Sequence, residues 1–337
     1  MENGGIKMLT IKDNLRETLK GGKPDRFVNQ YEYLQLVIDP ITANIGPNIK
    51  PGETKTNAWG VKICFQEGTP GPFPVCEGED KLLKDVTKWR EVLKAPRTTF
   101  TDEEWAPFLA MADKIDRNEY FVSACVYTGI FEKLHYFMGM EDAMMNFYEE
   151  PEEMAALIDW LADWEIECAK DIIKHLKPDA LFHHDDWGSQ RSTFLSPAMF
   201  EEFIEPAYKK IYGFWKENGV EVIVHHSDSY AATLVPSMIR MGIDVWQGAV
   251  SDNNIPELLK KYGGQITIQG GLDNGKYDTP DWSHEKIRAG IIYLIEATDG
   301  AKYLIPAMTM GGPESTYPGE YEAVTEELIK LSGEYFK

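Results

Sequence analysis

The chain has 337 residues, of which 55 are acidic and 34 basic, so its formal net charge at pH 7 is -21. A nucleic-acid-binding surface needs clustered Lys and Arg to neutralise phosphates, and this composition excludes nucleic acid as the expected partner. The first residues do not have the pattern of a signal peptide, no apolar run is long enough for a membrane span, and the 4 cysteines form no CxxC pair. We therefore expect a cytoplasmic protein that does not enter a membrane.

The N-terminal half has an irregular pattern. Thr10–Gly21 is predicted to be a helix, and Phe27–Tyr33 a first strand whose tip presents Asn29. Residues 40–79 are rich in Gly, Pro and Asn, and they predict a long loop or lid over the mouth of the fold. A further strand and a pair of helices broken near Pro151 are predicted at Tyr120–Tyr127 and Glu141–Lys174.

The C-terminal half alternates short apolar runs with amphipathic stretches. Helices are predicted at Pro197–Lys216 and Ala231–Met241, because Ser196 is a good N-cap before a proline at the first helical position. This alternation is typical of repeated βα units around a parallel sheet, so the predicted class is α/β. The predicted strands are Ala180–His184, Val220–His225, Val245–Val250, Gln265–Gly270 and Lys302–Ala307.

Two of these strands end in histidines and aspartates. The segments Ala180–Gly188 and Val222–Asp228 each pass from an apolar run into a His-His doublet followed by acidic residues. Imidazole and carboxylate groups suit zinc binding or proton transfer, and parallel strands bring their carboxyl ends to one edge. An enzyme is therefore the first hypothesis.

The alternation of side chains along a strand selects residues within these segments. His226 and Asp228 are two apart and should point the same way, either as site residues or as a structural hydrogen-bonded pair. By the same argument only one of His183 and His184 should face the barrel axis, and His184 is chosen together with Asp186. These four residues are the predicted catalytic groups, and Asp185 is expected to orient a ligand from behind.

Further polar and aromatic residues are predicted to bind the substrate. Tyr127, Trp187 and Trp246 would form an aromatic wall for a flat molecule, with ordinary packing as the alternative. Asn29, Gln247 and Gln269 complete this predicted set.

An ordered series of short motifs resembles the uroporphyrinogen decarboxylase superfamily, which includes decarboxylases of haem synthesis and cobalamin-dependent methyltransferases of anaerobes. The resemblance implies a single (β/α)8 TIM-type barrel over residues 1–337, a homodimer, and an active site at the carboxyl ends of the strands. The motifs that carry it are Asp25-Arg26, Ala58–Val61, Phe131–Met140, Asp185–Gln190, Leu195–Pro197, His226–Asp228 and Gln269–Asp273.

Differences within the superfamily favour the methyltransferase branch. The decarboxylases carry an Arg-Gln-Ala-Gly-Arg segment that binds the carboxylates of a tetrapyrrole, whereas Asn29–Gln35 contains no arginine. They also use a histidine near the C-terminus, and the corresponding stretch here, Met308–Pro313, has none.

The better-known methyltransferases bind zinc through a His-x-Cys motif and a second cysteine near the C-terminus. His226-Ser227-Asp228 stands at the first position, and Met310 or its neighbours at the second. The resemblance therefore implies zinc on His226 and Asp228, acting as a Lewis acid on an ether or an amine. The expected function is O-demethylation or a related transfer, from a small methylated compound to a corrinoid protein. The alternatives are a decarboxylase and a non-catalytic protein that binds a tetrapyrrole or corrinoid.

Overall fold

The fold centres on a seven-stranded parallel sheet, seen in a computed structural model that describes residues 8–69, 71–309 and 315–337. Its order, β1-β5-β6-β7-β8-β9-β10, follows the chain, as expected when each βα unit adds the next strand to the same edge. The strands are β1 (Leu34–Val37), β2 (Thr54–Thr56), β3 (Lys62–Cys64), β4 (Phe73–Val75), β5 (Phe121–Val126), β6 (Ala180–His184), β7 (Val222–His226), β8 (Val245–Ala249), β9 (Thr267–Leu272) and β10 (Leu304–Met308).

Helices cover the outside of this curled sheet, so the chain is an α/β barrel of the TIM type, as predicted. The break between the helices α6 and α7 falls at Pro151, which occupies the first turn of α7, as the sequence indicates. The helices are α1 (Ile11–Leu19), α2 (Pro40–Ile45), α3 (Trp89–Val92), α4 (Asp102–Ala112), α5 (Ile130–Met138), α6 (Met140–Glu149), α7 (Pro151–Leu176), α8 (Pro197–Met199), α9 (Glu205–Glu217), α10 (Val235–Met241), α11 (Ile255–Tyr262), α12 (Asn274–Tyr277), α13 (His284–Ala297) and α14 (Glu320–Tyr335).

The resemblance implied eight strands, and among the described residues seven are paired in this sheet. Side chains join the first strand to the far end of the sheet. The hydroxyl of Tyr33, just before β1, donates to Oε1 of Gln269 on β9 at 2.6 Å. Nε2 of Gln269 in turn donates to the backbone oxygen of Gln30 at 3.1 Å. Buried hydrogen bonds therefore join the segment before β1 to β9, beside the last strand β10, and among the described residues β1 and β10 form no backbone ladder.

The prediction of a strand at Phe27–Tyr33 is wrong. The segment is a turn in which the Glu32 N–H donates to the oxygen of Asn29 at 2.9 Å, and β1 begins only at Leu34. Gln30 has a φ of 50°, which a strand residue does not adopt. The apolar run packs into the core at the amino end of β1, so Asn29 does not reach the strand tips.

Residues 40–79 have secondary structure of their own. They contain α2 and an antiparallel sheet of β2, β3 and β4. The indole of Trp59 packs against Trp164 of α7, with ring centroids 4.8 Å apart, and against Phe137 of α5 at 5.4 Å. This aromatic packing joins the excursion to the barrel helices.

Cys64, Cys76, Cys125 and Cys168 are all free thiols. Over the described part of the chain, every helix is too short or too polar to cross a lipid bilayer.

Candidate functional site

Four polar side chains occupy matching positions on neighbouring strands. The register pairs His184 of β6 with His226 of β7, His226 with Gln247 of β8, and Gln247 with Gln269 of β9. Because side chains alternate along a strand, these residues face the barrel interior while the preceding row faces the helices. That preceding row contains His183, His225 and Trp246.

The row ends beside a cavity of about 620 Å³ at the carboxyl ends of the strands. Pro72 and Phe73 from the excursion border the same cavity, so the excursion and the tips of β6 and β7 share one opening. Tyr127 also lines it, and the polar lining includes Glu132, His184, Asp186, His226 and Asp228.

Three of these residues form a cluster that could hold a metal. The ligand atoms of His184, Asp186 and His226 all lie within 4.8 Å of one another. The sequence predicted a metal on His226 and Asp228; this cluster contains His226 together with His184 and Asp186, and Asp228 is not one of its members. The Asp228 N–H donates to Oδ1 of Asp186 at 3.1 Å, which holds the two strand tips together and draws the Asp186 carboxylate toward β7.

Both imidazoles are fixed through the same ring atom. His184 Nδ1–H donates to Oε2 of Glu132 at 2.9 Å, and His226 Nδ1–H donates to Oε1 of Gln247. The two rings stack with centroids 4.5 Å apart and an interplanar angle of 16°. Each histidine therefore keeps Nε2 for a ligand, in the arrangement by which outer hydrogen bonds orient metal-binding histidines.

The electrostatics of the two histidines differ. Burial, together with the neighbouring His184, lowers the pKa of His226 to about 3, so His226 is neutral at all ordinary pH values. Burial also opposes a charge on His184, but the Glu132 carboxylate outweighs it and raises the pKa of His184 to about 9. A metal that binds His184 must therefore displace a proton.

The two aspartates at the strand tips hold protons unusually well. Burial raises the pKa of Asp186 to about 6, and burial together with the nearby Asp186 charge raises the pKa of Asp228 to about 7. One of these carboxyl groups can therefore carry a proton near neutral pH in a cavity that also holds the candidate metal cluster.

Asp185 positions the helix that carries Glu132. Its carboxylate accepts the backbone N–H of Phe131 at 3.0 Å and of Glu132 at 2.8 Å, which satisfies the free donors of the first turn of α5. Tyr208 and Trp187 donate to the same carboxylate at 2.5 and 2.9 Å. Asp185 thus acts on His184 through Glu132, consistent with the supporting role predicted for it.

Glu132 is the main site residue that sequence reasoning missed. It lies in the segment Phe131–Met140, which carries part of the family resemblance, but its position on a helix gave no sign that it faces a strand tip. Apolar residues of the cavity were missed as well; they include Tyr31, Leu36, Tyr136 and Phe182.

Most residues predicted to bind substrate do not border this cavity. Gln247 and Gln269 are fully buried and hold other residues, as described above. The indole N–H of Trp187 donates to Asp185, and that of Trp246 donates to the backbone oxygen of Ser227 at 3.0 Å, so both rings pack behind the strand tips. The side-chain amide of Asn29 donates a hydrogen bond to the backbone oxygen of Thr325 on α14. Met310, the predicted C-terminal counterpart, and residues 311–314 lie outside the described residues.

The donor set suits a zinc ion. Two imidazole nitrogens and one carboxylate oxygen are the ligands of many catalytic zinc sites, which keep a fourth position for water or substrate. A zinc ion with bonds of about 2.0–2.2 Å needs ligand atoms gathered within a few ångströms, and those of the three residues lie within 4.8 Å of one another.

The comparisons with known proteins agree with this fold. The model of the uroporphyrinogen decarboxylase (URO-D) family matches residues 58–330, so the chain belongs to this family. A solved structure described as a methyltransferase from Methanosarcina mazei is similar, with a TM-score of 0.67 and 14% sequence identity over 96% of this chain and 99% of that chain. At that identity the likeness shows the fold. No curated protein sequence matches this chain significantly.

Proposed function

We propose that this protein is a zinc-dependent methyltransferase that moves a methyl group from a small methylated donor to the cobalt of a separate corrinoid protein. The observation that carries the proposal is the cluster of His184, Asp186 and His226 at the opening of the barrel. Its two imidazoles are held at Nδ1 and present Nε2 to a cavity large enough for a small donor.

The charge of the cavity opposes the decarboxylase alternative. Among the described residues that line it there is no Lys or Arg, whereas Glu132, Asp186 and Asp228 are acidic. A tetrapyrrole with several carboxylates would be electrostatically unmatched there. A neutral donor such as a methyl ether fits better.

The apolar part of the cavity also supports a methyl ether. Phe182 and Tyr127 lie beside the histidines, with ring centroids 6.0 Å from His226 and 6.4 Å from His184. Leu36 and Phe73 line the cavity and are partly exposed at 40% and 53%. These walls would pack against an apolar donor and exclude water from the reacting bond.

When bound, zinc would supply Lewis-acid polarisation of the donor heteroatom. Burial raises the pKa of Asp228, so this carboxyl group beside the cluster can carry the proton that the reaction needs. As the carbon–oxygen bond of the donor breaks, the oxygen keeps the bonding electron pair and takes this proton, and the methyl group passes to reduced cobalt. The products are an alcohol or phenol and a methylated corrinoid.

The test is an anaerobic assay with free cob(I)alamin, zinc and candidate donors: methanol, methylamines and anisole-type ethers. Methylcobalamin would be followed by absorbance and identified by mass spectrometry. We expect formation with the wild type and with His284→Ala, a control at a half-exposed histidine on α13, and loss with His226→Ala.

Absence of methylcobalamin with every donor would count against the proposal. Tight corrinoid binding without turnover, unchanged in His226→Ala and Asp228→Ala, would favour a non-catalytic binding protein instead.

A further inference from the structure

A second, inner cavity lies beneath the excursion. It measures about 170 Å³ and is enclosed by α2, the segment around Trp59, α5 and α7. Tyr127 and Tyr136 line both this cavity and the one at the strand tips, so the two are neighbours that share a wall. Most of its lining is apolar, including Ile41, Ile45, Val61, Phe137, Trp164 and Ile172.

The size of the inner cavity matches a single aromatic ring. An apolar protein cavity of about 150 Å³ stays dry and binds benzene. The inner cavity is slightly larger, and several aromatic side chains line it, which favours the binding of a ring.

The lining also contains a buried hydrogen-bond donor that lacks an acceptor among the described residues. Trp59 is 5% exposed, and its Nε1 has no hydrogen-bond partner among the described residues. Buried indole N–H groups nearly always have a partner, because an unpaired donor loses the hydrogen bond it had with water. A ligand with an oxygen acceptor would supply that partner.

The charged residues of the lining neutralise each other. Lys133 Nζ donates to Glu165 Oε1 at 2.8 Å, and Glu165 Oε2 accepts from His183 Nε2 at 3.0 Å. Lys133 also donates to the backbone oxygen of Thr128. Although burial opposes ionisation of Glu165, Lys133 and His183 together lower its pKa to about 2, so the pair is a buried salt bridge. Because the positive charge of this pair is already compensated, the cavity should bind an uncharged ligand rather than an anion.

We propose that the inner cavity binds an uncharged single-ring aromatic group carrying an oxygen acceptor, with the ring among the Ile and Trp side chains and the oxygen at Trp59 Nε1. This binding site does not depend on the methyltransferase proposal. The ring could belong to a separate small molecule or to the methyl donor itself, reaching past Tyr127 and Tyr136.

The test is fluorine NMR of two isosteric probes, 4-fluorophenol and 4-fluorotoluene, with the full-length protein. We expect both to bind and 4-fluorophenol to bind more tightly. Ala169→Leu fills the cavity from α7 and should abolish binding of both, whereas Ala155→Leu, an exposed position of the same helix, should leave it unchanged. Trp59→Phe should weaken 4-fluorophenol by about 5-fold and leave 4-fluorotoluene little changed, because it removes one neutral hydrogen bond.

If Ala169→Leu does not fold, as judged by circular dichroism and Tm, Ile172→Phe provides a second filling variant. Lack of binding by the wild type, or binding that persists in a folded filled variant, would overturn the proposal. In a methyl-transfer assay, a raised KM of Ala169→Leu for an aryl methyl ether with an unchanged KM for methanol would assign the ring to the donor. Unchanged KM values for both would assign it to a separate molecule.

Discussion

Oε2 of Glu132 lies 2.9 Å from Nδ1 of His184, although the two residues are 52 positions apart in the chain. This contact joins the first turn of α5 to the tip of β6. It fixes the imidazole orientation and places a carboxylate behind a group of the candidate metal cluster, which is the arrangement that tunes metal-binding histidines.

Replacing Glu132 with Gln should lower the pKa of His184 from about 9 toward or below its ordinary value of 6.5, because burial then acts with less opposition. NMR titration of the imidazole C–H signals would measure this. Stability should follow the same linkage. The raised pKa contributes stability that is fully present below pH 6.5 and is lost as the pH rises through 9. Glu132→Gln should therefore lower Tm more at pH 6 than above pH 9, and equal losses at both pH values would contradict this.

Zinc affinity should identify the ligands. We expect His184→Ala, Asp186→Asn and His226→Ala each to weaken zinc binding by more than about 100-fold, since outer residues alone typically contribute 10–100-fold. Asp228→Asn should change it by less than about 10-fold. Chelator competition and metal analysis would measure these affinities, with His284→Ala as the control. An Asp228→Asn variant that loses more affinity than Asp186→Asn would restore the ligand pair predicted from sequence.

Gln247 supplies the acceptor that orients His226, so replacing Gln247 should change the affinity for zinc. Gln247→Leu should weaken zinc binding by about 10–100-fold. Gln247→Glu keeps an oxygen at the same position and should retain tight binding. Equal affinities for the wild type and Gln247→Leu would show that the hydrogen bond has no role in metal binding.

Replacing Asp228 should change both the pH dependence of stability and the rate of methyl transfer. Burial raises its folded pKa from 3.8 to about 7, so its contribution to stability is present below pH 3.8 and is lost as the pH rises through 7. Asp228→Asn removes this loss, and the metal-free variant should have a higher Tm than the wild type at pH 8 but a similar Tm near pH 4.

If Asp228 donates the proton in methyl transfer, kcat of the Asp228→Asn variant should fall by about 10²-fold or more. Unchanged turnover would remove Asp228 from the proposed chemistry.

Gly129, just before α5, allows the close approach between that helix and Asp185. A Cβ at this position would lie 2.3 Å from Cβ of Asp185 and 2.4 Å from the Tyr208 hydroxyl oxygen. Gly129→Ala should reduce the free energy of unfolding by about 1–3 kcal/mol, as overpacking does, and weaken zinc binding through Glu132. Gly213 of α9 is the matched control, since a Cβ there meets nothing within 4 Å. Denaturant unfolding of both variants would measure the difference, and equal effects would exclude the steric explanation.

The sequence determined the class of fold and the strand tips that reach the site. Apolar runs that end in polar residues predicted β6 and β7 closely, because a buried parallel strand is recognisable from its own residues. The period of two then placed His226 and Asp228 on one side of their strand and His225 on the other, and it allowed only one of His183 and His184 to face the barrel axis. Local periodicity carries this information without knowledge of any partner.

Only the tertiary structure decided which residues support those histidines. Gln247, predicted to bind substrate, is the acceptor for His226 because the register of β7 and β8 sets the two side by side. Asp186 joins His226 in the cluster through the contact between two strand tips, and Glu132 arrives from a helix whose start is held by Asp185. These partnerships depend on register and on helix position. Both are set by long-range packing, which cannot be inferred from the local sequence around each residue.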